Sequence, residues 1–370
     1  MAIIDIVNVA LRSVGEQSLT VIDDTTPHGK IVDDVYLYVR DEVFRAHAWN
    51  FALRRGGLAG FHHPGPEFEF ARSYLLPSGK GNYGEAIRVI DIDQSKSRYK
   101  VEKGHILSDV NGTMTNALSD SKDFTTANWT ATGTGTRTAN AATGPDNALD
   151  ADLISDTDAA ARYFVSQAIT VTNDEKYHFA GVKIKANTAT SATLQLKLTG
   201  GTTTITAYNE LTFSGVTLIR GGTGGIHSYD VEALDNSYYW LWLCIKNNGT
   251  GNTTLTVEIH PTGLATDTVS TVTSIWAVDA WCESITPLDA RWIEIVTDTD
   301  LWTKDFITVY AKALAKALAI PIANSRTLAQ VLDGEYKDAL RRARSIDAIE
   351  DFPDEFPESS WTSSRRGSLT

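Results

Sequence analysis

The sequence predicts an α+β protein: an antiparallel helical bundle with a small β meander, interrupted by an all-β sandwich or jelly-roll domain. Three observations predict it. Residues 25–55 and 325–349 carry apolar side chains at helical spacing. From about 113 to 286 the chain is rich in Thr, Ala, Asn, Gly and Ser and reads as one short strand after another. After Pro287 the helical texture returns.

Taken in order, residues 3–14 predict a short helix, with Gly15 placed to end it. In residues 25–55, Thr26 is a natural cap and Pro27 suits the first helical position. Ile31, Val35, Tyr38, Val39 and Val43 predict the buried stripe, and Trp49 and Phe51 then alternate as in a strand. Residues 58–83 form a Pro- and Gly-rich loop. Its adjacent His62 and His63 have no nearby cysteine or carboxylate pair and read as exposed rather than as half a metal site. Residues 86–92, 99–102 and 105–107 predict the meander.

Within the interruption, strands are expected at 162–170, 177–185, 193–198, 211–218, 238–246, 253–260 and 273–282. Beyond it come a strand at 290–296, a helix at 301–320 with Trp302, Phe306, Tyr310, Leu314 and Ala317 on one stripe, and a last helix capped by Asn324 or Ser325. Its stripe is Leu328, Val331, Leu332, Tyr336, Leu340, Ala343 and Ile346. Strands 105–107 and 290–296, joined directly, would make a hairpin, and exposed hairpin tips tolerate inserted domains. The expected division is therefore 1–112 and 287–349 for the parent domain, 113–286 for the insert, and 350–370 for an extended arm.

Length allows two or three domains at 370 residues, and a net charge of -13 disfavours wrapping nucleic acid through phosphate contacts. A channel through which DNA slides without sticking stays open. No run of eighteen apolar residues spans a membrane, and the N-terminal stretch lacks the basic region of a secretory signal. Cys244 and Cys282 lie in strand-like apolar stretches and read as buried thiols, with a single disulfide left open.

No catalytic, metal-binding or cofactor-binding residue is assigned. The glycine-dense GGTGG at 221–225 lacks the Lys and Ser/Thr of a phosphate cradle and reads as a turn. Asp146, Asn147, Asp150 and Asp152 put oxygens close together without the calcium-loop spacing, and read as a solvated turn. Trp129, Tyr208 and Tyr229, with Trp276, are the aromatics that could stack on sugar rings, although strand alternation assigns most of them to a core. The tail has too few aromatics to bury one another. Phe352, Phe356 and Trp361, followed by Arg365 and Arg366, read as anchors for a neighbouring subunit.

The stretches NVALRSVGEQSLTVIDD, IVDDVYLYVRDEVFRAHAWNFA, YKVEKGHILSDVNG and LAQVLDGEYKDALRRARSIDAIED, with the terminal SSWTSSRRG, resemble the head-to-tail adaptors of tailed bacteriophages, of the tail tubular protein A type. The resemblance covers about half the chain. It implies a structural virion protein at the head–tail interface: a ring, commonly of twelve subunits, beneath the portal protein. Such a ring continues the DNA channel without sequence-specific binding and docks a tail nozzle or tubular protein, with tail fibres as further candidates. On this resemblance the tail anchors would dock on the portal or an adjacent subunit. Separately, residues 113–286 resemble the carbohydrate-binding-like jelly rolls of phage structural proteins, through NALSDSKDFTTANWTATGTGTRTANAATGPDNALDADLI, YYWLWLCIK and IWAVDAWCES. The alternative reading is accordingly a glycan- or host-surface-binding protein that acts through the jelly roll.

Overall fold

The computed structural model describes residues 2–22, 25–62, 65–93, 98–158, 161–265 and 272–350. Among the described residues the chain forms four α-helices and eighteen strands. It divides into two compact units, Met1–Arg54 with Ile293–Thr370, and Arg55–Trp292.

The first unit holds α1 (Ile3–Ser13), α2 (Pro27–Ala46), α3 (Lys304–Leu318) and α4 (Arg326–Glu350). The other three helices all pack on α3. Their starts follow the sequence: Thr26 accepts from the Gly29 amide, Thr303 from Phe306, and Ser325 from Leu328. The buried face of α2 differs from the expected stripe. Val32, Val39 and Val43 are buried, whereas Tyr38 is 73% exposed. The stripe is therefore turned by one residue, with Val32 rather than Ile31 at its start. Trp49 and Phe51 do not open a strand. Residues Asn50–Ala52 form a 3-10 turn, and the aromatics cluster with Phe44, Trp302 and Phe306.

The second unit begins within β1 (Leu53–Leu58) and continues through β2 (Arg72–Leu75), β3 (Ala86–Ile92), β4 (Tyr99–Glu102) and β5 (His105–Ser108). Then come β6 (Thr130–Thr132), β7 (Gly135–Thr143), β8 (Leu149–Asp156), β9 (Phe164–Thr170), β10 (Tyr177–Ala186) and β11 (Ser191–Thr199). β12 (Ile205–Thr212), β13 (Thr217–Gly222), β14 (Ile226–Ala233), β15 (Tyr239–Lys246), β16 (Thr254–His260), β17 (Thr273–Ile285) and β18 (Leu288–Glu294) complete it. Two small sheets have the orders β1-β18-β3 and β2-β5-β4. β5 and β18, which flank the intervening chain, thus lie in different sheets. The two ends of the intervening chain still meet, because the Asn111 side chain bonds both backbone groups of Thr286, at 2.7 and 2.8 Å.

The remaining twelve strands form two six-stranded sheets, β14-β15-β10-β17-β8-β7 and β13-β12-β11-β16-β9-β6, packed as a sandwich. Alternation builds it. In β11 Leu194, Leu196 and Leu198 point inward and Gln195 and Lys197 outward; in β16 Leu255, Val257 and Ile259 point inward. Each such side chain, fully buried, contributes roughly 1.5–3 kcal/mol. The single strand expected at 211–218 is instead the end of β12, a turn at 213–216 and the start of β13.

The expected architecture, a helical bundle interrupted by an inserted sandwich, is overturned. The fold is mainly a β-sandwich of two six-stranded sheets, with only four helices among the described residues. The physical reason lies in β15. Leu241, Leu243 and Ile245 enter the sandwich core, while Trp240, Trp242 and Cys244 face the other way. A strand apolar on both faces needs a cover. Ala59 and Phe61, which the sequence places with the helical domain, supply it by packing on Phe179, Trp240, Trp242 and Trp281. The Trp240 indole donates to the Phe61 carbonyl at 2.9 Å. Cys244 and Cys282 are unbridged, and burial raises both thiols, Cys282 to about 12.

Candidate functional site

The outward face of the first sheet is roofed by Ala59, Phe61 and Leu75. The outward face of the second sheet carries the polar half of each alternating strand. Strand register lines up one row across it: Gly221, Tyr208, Gln195, Glu258, Ser166 and Thr130, from β13 to β6. At a strand spacing of about 4.8 Å, the span from Tyr208 to Thr130 is roughly 19 Å. Thr206, Lys197 and Thr256 form the next row.

Tyr208 is half-buried, and its ring passes directly over Gly221. A Cβ there would lie 2.2 Å from the phenol oxygen, so only glycine leaves room for the ring to rest on the sheet. At the centre of the face, Glu258 is a buried carboxylate. It accepts from the Lys197 ammonium at 2.8 Å and lies 3.2 Å from His260 Nε2. Burial works to raise the Glu258 pKa, but the hydrogen bonds from His260 and Lys197 prevail and hold it below the usual carboxylate range. His260 is lowered, chiefly by burial, and its ring stacks on Phe164 with centroids 4.6 Å apart.

One edge of the face is bounded by the chain after β16. Leu264 and Ala265 donate backbone N–H groups to Thr193 and Glu210, and the Thr193 hydroxyl donates to the Thr262 carbonyl. The face therefore carries a half-buried aromatic ring and a series of hydroxyls, with the Gln195 carboxamide and the ion-paired Glu258 carboxylate buried at 8% and 4% exposure between them. This set suits a ligand that is itself both donor and acceptor along its length.

The other aromatics that the sequence suggests for stacking are elsewhere: Trp129 just precedes β6, while Tyr229 and Trp276 follow the alternation of β14 and β17. Trp129 is a core residue at 1% exposure, its indole bonded to the Asp120 carbonyl, and Tyr229 points into the sandwich core at 9%. Neither is offered to a ligand. Trp276 lies on the first sheet's outward side, with the Lys185 ammonium 5.3 Å from its ring centroid. Of the oxygens expected near one another at 146–152, Asp146 and Asp150 stay close enough that burial, together with Asp146, raises the Asp150 pKa, while the others are engaged separately. Asp152 accepts from the Phe124 and Asn140 amides, Asp146 from Ala148, and Asn147 from Asn236. Phe352, Phe356, Trp361, Arg365 and Arg366 lie outside the described residues.

Sequence reasoning missed Phe164, Gln195, Lys197, Glu258 and His260. The signal is present in β11 and β16, whose outward positions alternate polar types without a charge-only surface pattern. It also missed that His62 meets His105 and Glu232, with donor atoms all within 4.8 Å of one another; His63 lies outside the described residues.

No family model matches the chain, and no curated protein matches it. Solved structures do. The enzymatically active domain of bacteriophage CBA120 tailspike protein 4 is 16% identical over 46% of this chain and 21% of that chain, with a TM-score of 0.30. TmCBM61 in complex with beta-1,4-galactotriose is 13% identical over 46% of this chain and 99% of its own, with a TM-score of 0.27. The CBM22-1 xylan-binding domain from Paenibacillus barcinonensis Xyn10C is 13% identical over 46% and 92%, with a TM-score of 0.28.

Proposed function

We propose that the β-sandwich is a carbohydrate-binding module and that the outward face of its second sheet takes a glycan chain. The observation that carries this reading is the row from Tyr208 to Thr130. A sugar ring has an apolar face that stacks on an aromatic and hydroxyls that both donate and accept. The row supplies Tyr208 for the first and Gln195, Glu258, Ser166 and Thr130 for the second. Its outward positions are polar, unlike the contiguous apolar patches that mark protein partners. The ligand class coincides with the galactotriose and xylan named for two of the solved structures, but the proposal rests on the face.

The test is binding of the whole chain to a glycan array, followed by titration of the best ligand. Tyr208→Ala should weaken binding about tenfold, or ~1.4 kcal/mol. Gln195→Ala serves as a second variant should the first fold poorly. An array with no reproducible ligand, or variants that bind as tightly as the parent, would refute the assignment.

A second reading, the phage head-to-tail adaptor in a virion, draws support from apolar side chains left exposed on α2 and α4: Leu37 at 44%, Tyr38 at 73% and Val331 at 55%. These fall within the segments that resemble adaptors and would suit subunit or portal contacts. Its partners are further copies of the chain in a ring, the portal and the tail nozzle, with tail fibres as candidates. Images of intact particles, in which the protein either does or does not form a ring below the head, decide it.

A further inference from the structure

We propose that His62, His105 and Glu232 form a binding site for a zinc-class divalent cation that fastens the roof segment to the sandwich. The three residues come from different places. His62 follows the isolated bridge of Phe61 with Tyr74, and its amide donates to the Ser73 carbonyl at 2.8 Å. His105 opens β5, opposite Leu75 and Glu102. Glu232 lies on β14, opposite Trp240, on the outward face of the first sheet. Register in two sheets therefore fixes two of the ligands, and the third is tied to β2 by its backbone.

The imidazole nitrogens converge on one carboxylate. His62 Nδ1 is 3.0 Å from one Glu232 oxygen, and His105 Nε2 is 3.4 Å from the other. The two rings are 5.6 Å apart between centroids. Two imidazoles and one carboxylate are a donor set that zinc takes with one further position open, at about 2.0–2.2 Å per ligand. The donor atoms, now within 4.8 Å of one another, would need to close by roughly 1 Å to reach the separations that tetrahedral bonds of that length impose. In this arrangement the cation takes the place of the protons that bridge each nitrogen to the carboxylate, and the imidazoles bind as neutral ligands.

The site is reachable. The three side chains keep between 22% and 33% of their exposure, and a cavity of about 290 Å³ lined by Gly104, His105 and Glu232 opens beside it. The plain alternative is a carboxylate that only bridges two histidines. What favours the cation is the donor set: two imidazole nitrogens and a carboxylate oxygen from three separate segments lie within 4.8 Å of one another, the combination a zinc-class ion takes. Hard oxygen-seeking cations are disfavoured by the two nitrogen donors.

The experiment uses the full chain, stripped with a chelator and titrated with zinc chloride, with cobalt(II) as a spectroscopic substitute. One equivalent should bind, the melting midpoint of the sandwich unit should rise by several degrees, and cobalt should give the visible absorption of a low-coordinate site. His105→Ala and Glu232→Gln should each weaken binding at least tenfold. His62→Ala, at a loop position, keeps the test open if either strand variant fails to fold. Absence of stoichiometric binding, an affinity in all three variants equal to that of the parent, or tighter binding of calcium than of zinc would overturn the proposal.

Discussion

Arg72→Met should be among the most damaging single changes in the second unit. The Arg72 side chain is wholly buried. Its guanidinium donates to both oxygens of Glu283 on β17, at 2.5 and 3.0 Å, and its Nε donates to the Gly112 carbonyl at 3.1 Å. It also lies 5.1 Å from the centroid of the Phe61 ring. One side chain thus joins β2, the roof, the segment that leads into the sandwich and the first sheet. Methionine fills most of the volume but leaves the Glu283 carboxylate nearly buried, with the Trp281 indole at 3.4 Å to offset part of the loss. Breaking a buried ion pair from one side costs about 3–5 kcal/mol, whereas replacing both partners with apolar residues is often close to neutral. The Arg72→Met, Glu283→Leu double variant should therefore recover most of the loss. Urea unfolding followed by tryptophan fluorescence measures it, since Trp240, Trp242 and Trp281 all lie under the roof. With a slope of about 2–3 kcal/mol per molar, the single variant should shift the midpoint down by roughly 1–2.5 M. A single-variant loss below about 1 kcal/mol, or a double variant no better than the single, would refute the reasoning.

Stability should also depend on pH through His178, His227 and His260, all of whose pKa values are lowered chiefly by burial. The unfolded chain then binds protons more readily than the folded one. This stability is complete above the ordinary histidine value of about 6.5 and declines as pH falls from there through the lowered folded values. A melting midpoint flat or rising between pH 7.5 and 5.5 would contradict this, and His178→Gln should flatten the decline. Glu258 has the same sign at lower pH: its lowered value adds stability that is present above the ordinary carboxylate range and lost as pH falls through the folded value, which Glu258→Gln should abolish in an acid melting series. Removal of residues 352–370 should leave the melting of both units unchanged in calorimetry, while particle joining falls if the tail anchors a neighbour.

Much of the fold is legible because period and burial agree in it. The caps Thr26 and Ser325 sit where short polar residues precede apolar helical runs, and β10, β11, β15, β16 and β17 read as strands, whereas α3 starts at Lys304 behind its cap Thr303 rather than at the expected 301. What fails is the assignment of partners. Nothing local in residues 59–75 states that Ala59 and Phe61 will lie on Trp240 and Trp242, nearly two hundred residues later. β6 and β7 escape because TAT and GTRTANAAT are exposed at most positions and carry no aliphatic or aromatic side chain larger than alanine. β8 escapes because Asp150, Asp152 and Asp156 break up LDADLISD with a residue that strands disfavour.

The candidate site shows why composition alone cannot find such a face. Tyr208, Trp129 and Tyr229 are all aromatics in strand-like sequence, and only the parity of each position separates Tyr208 from Tyr229. Counting from Leu211, which is inward, places Ala207 and Asn209 inward and Tyr208 outward. Counting from Val231 places Tyr229 inward. That parity is available within each strand, but choosing which of two sheet faces stays open requires the roof. β15 contains that choice in its own sequence: YWLWLCIK is apolar on both faces, so its sheet must be covered on both, whereas TLTVEIH in β16 is apolar on one face only, so its sheet can be left open. The doubly apolar strand thus identifies the closed side of the sandwich, and the singly apolar strand identifies the side on which a ligand has room to bind.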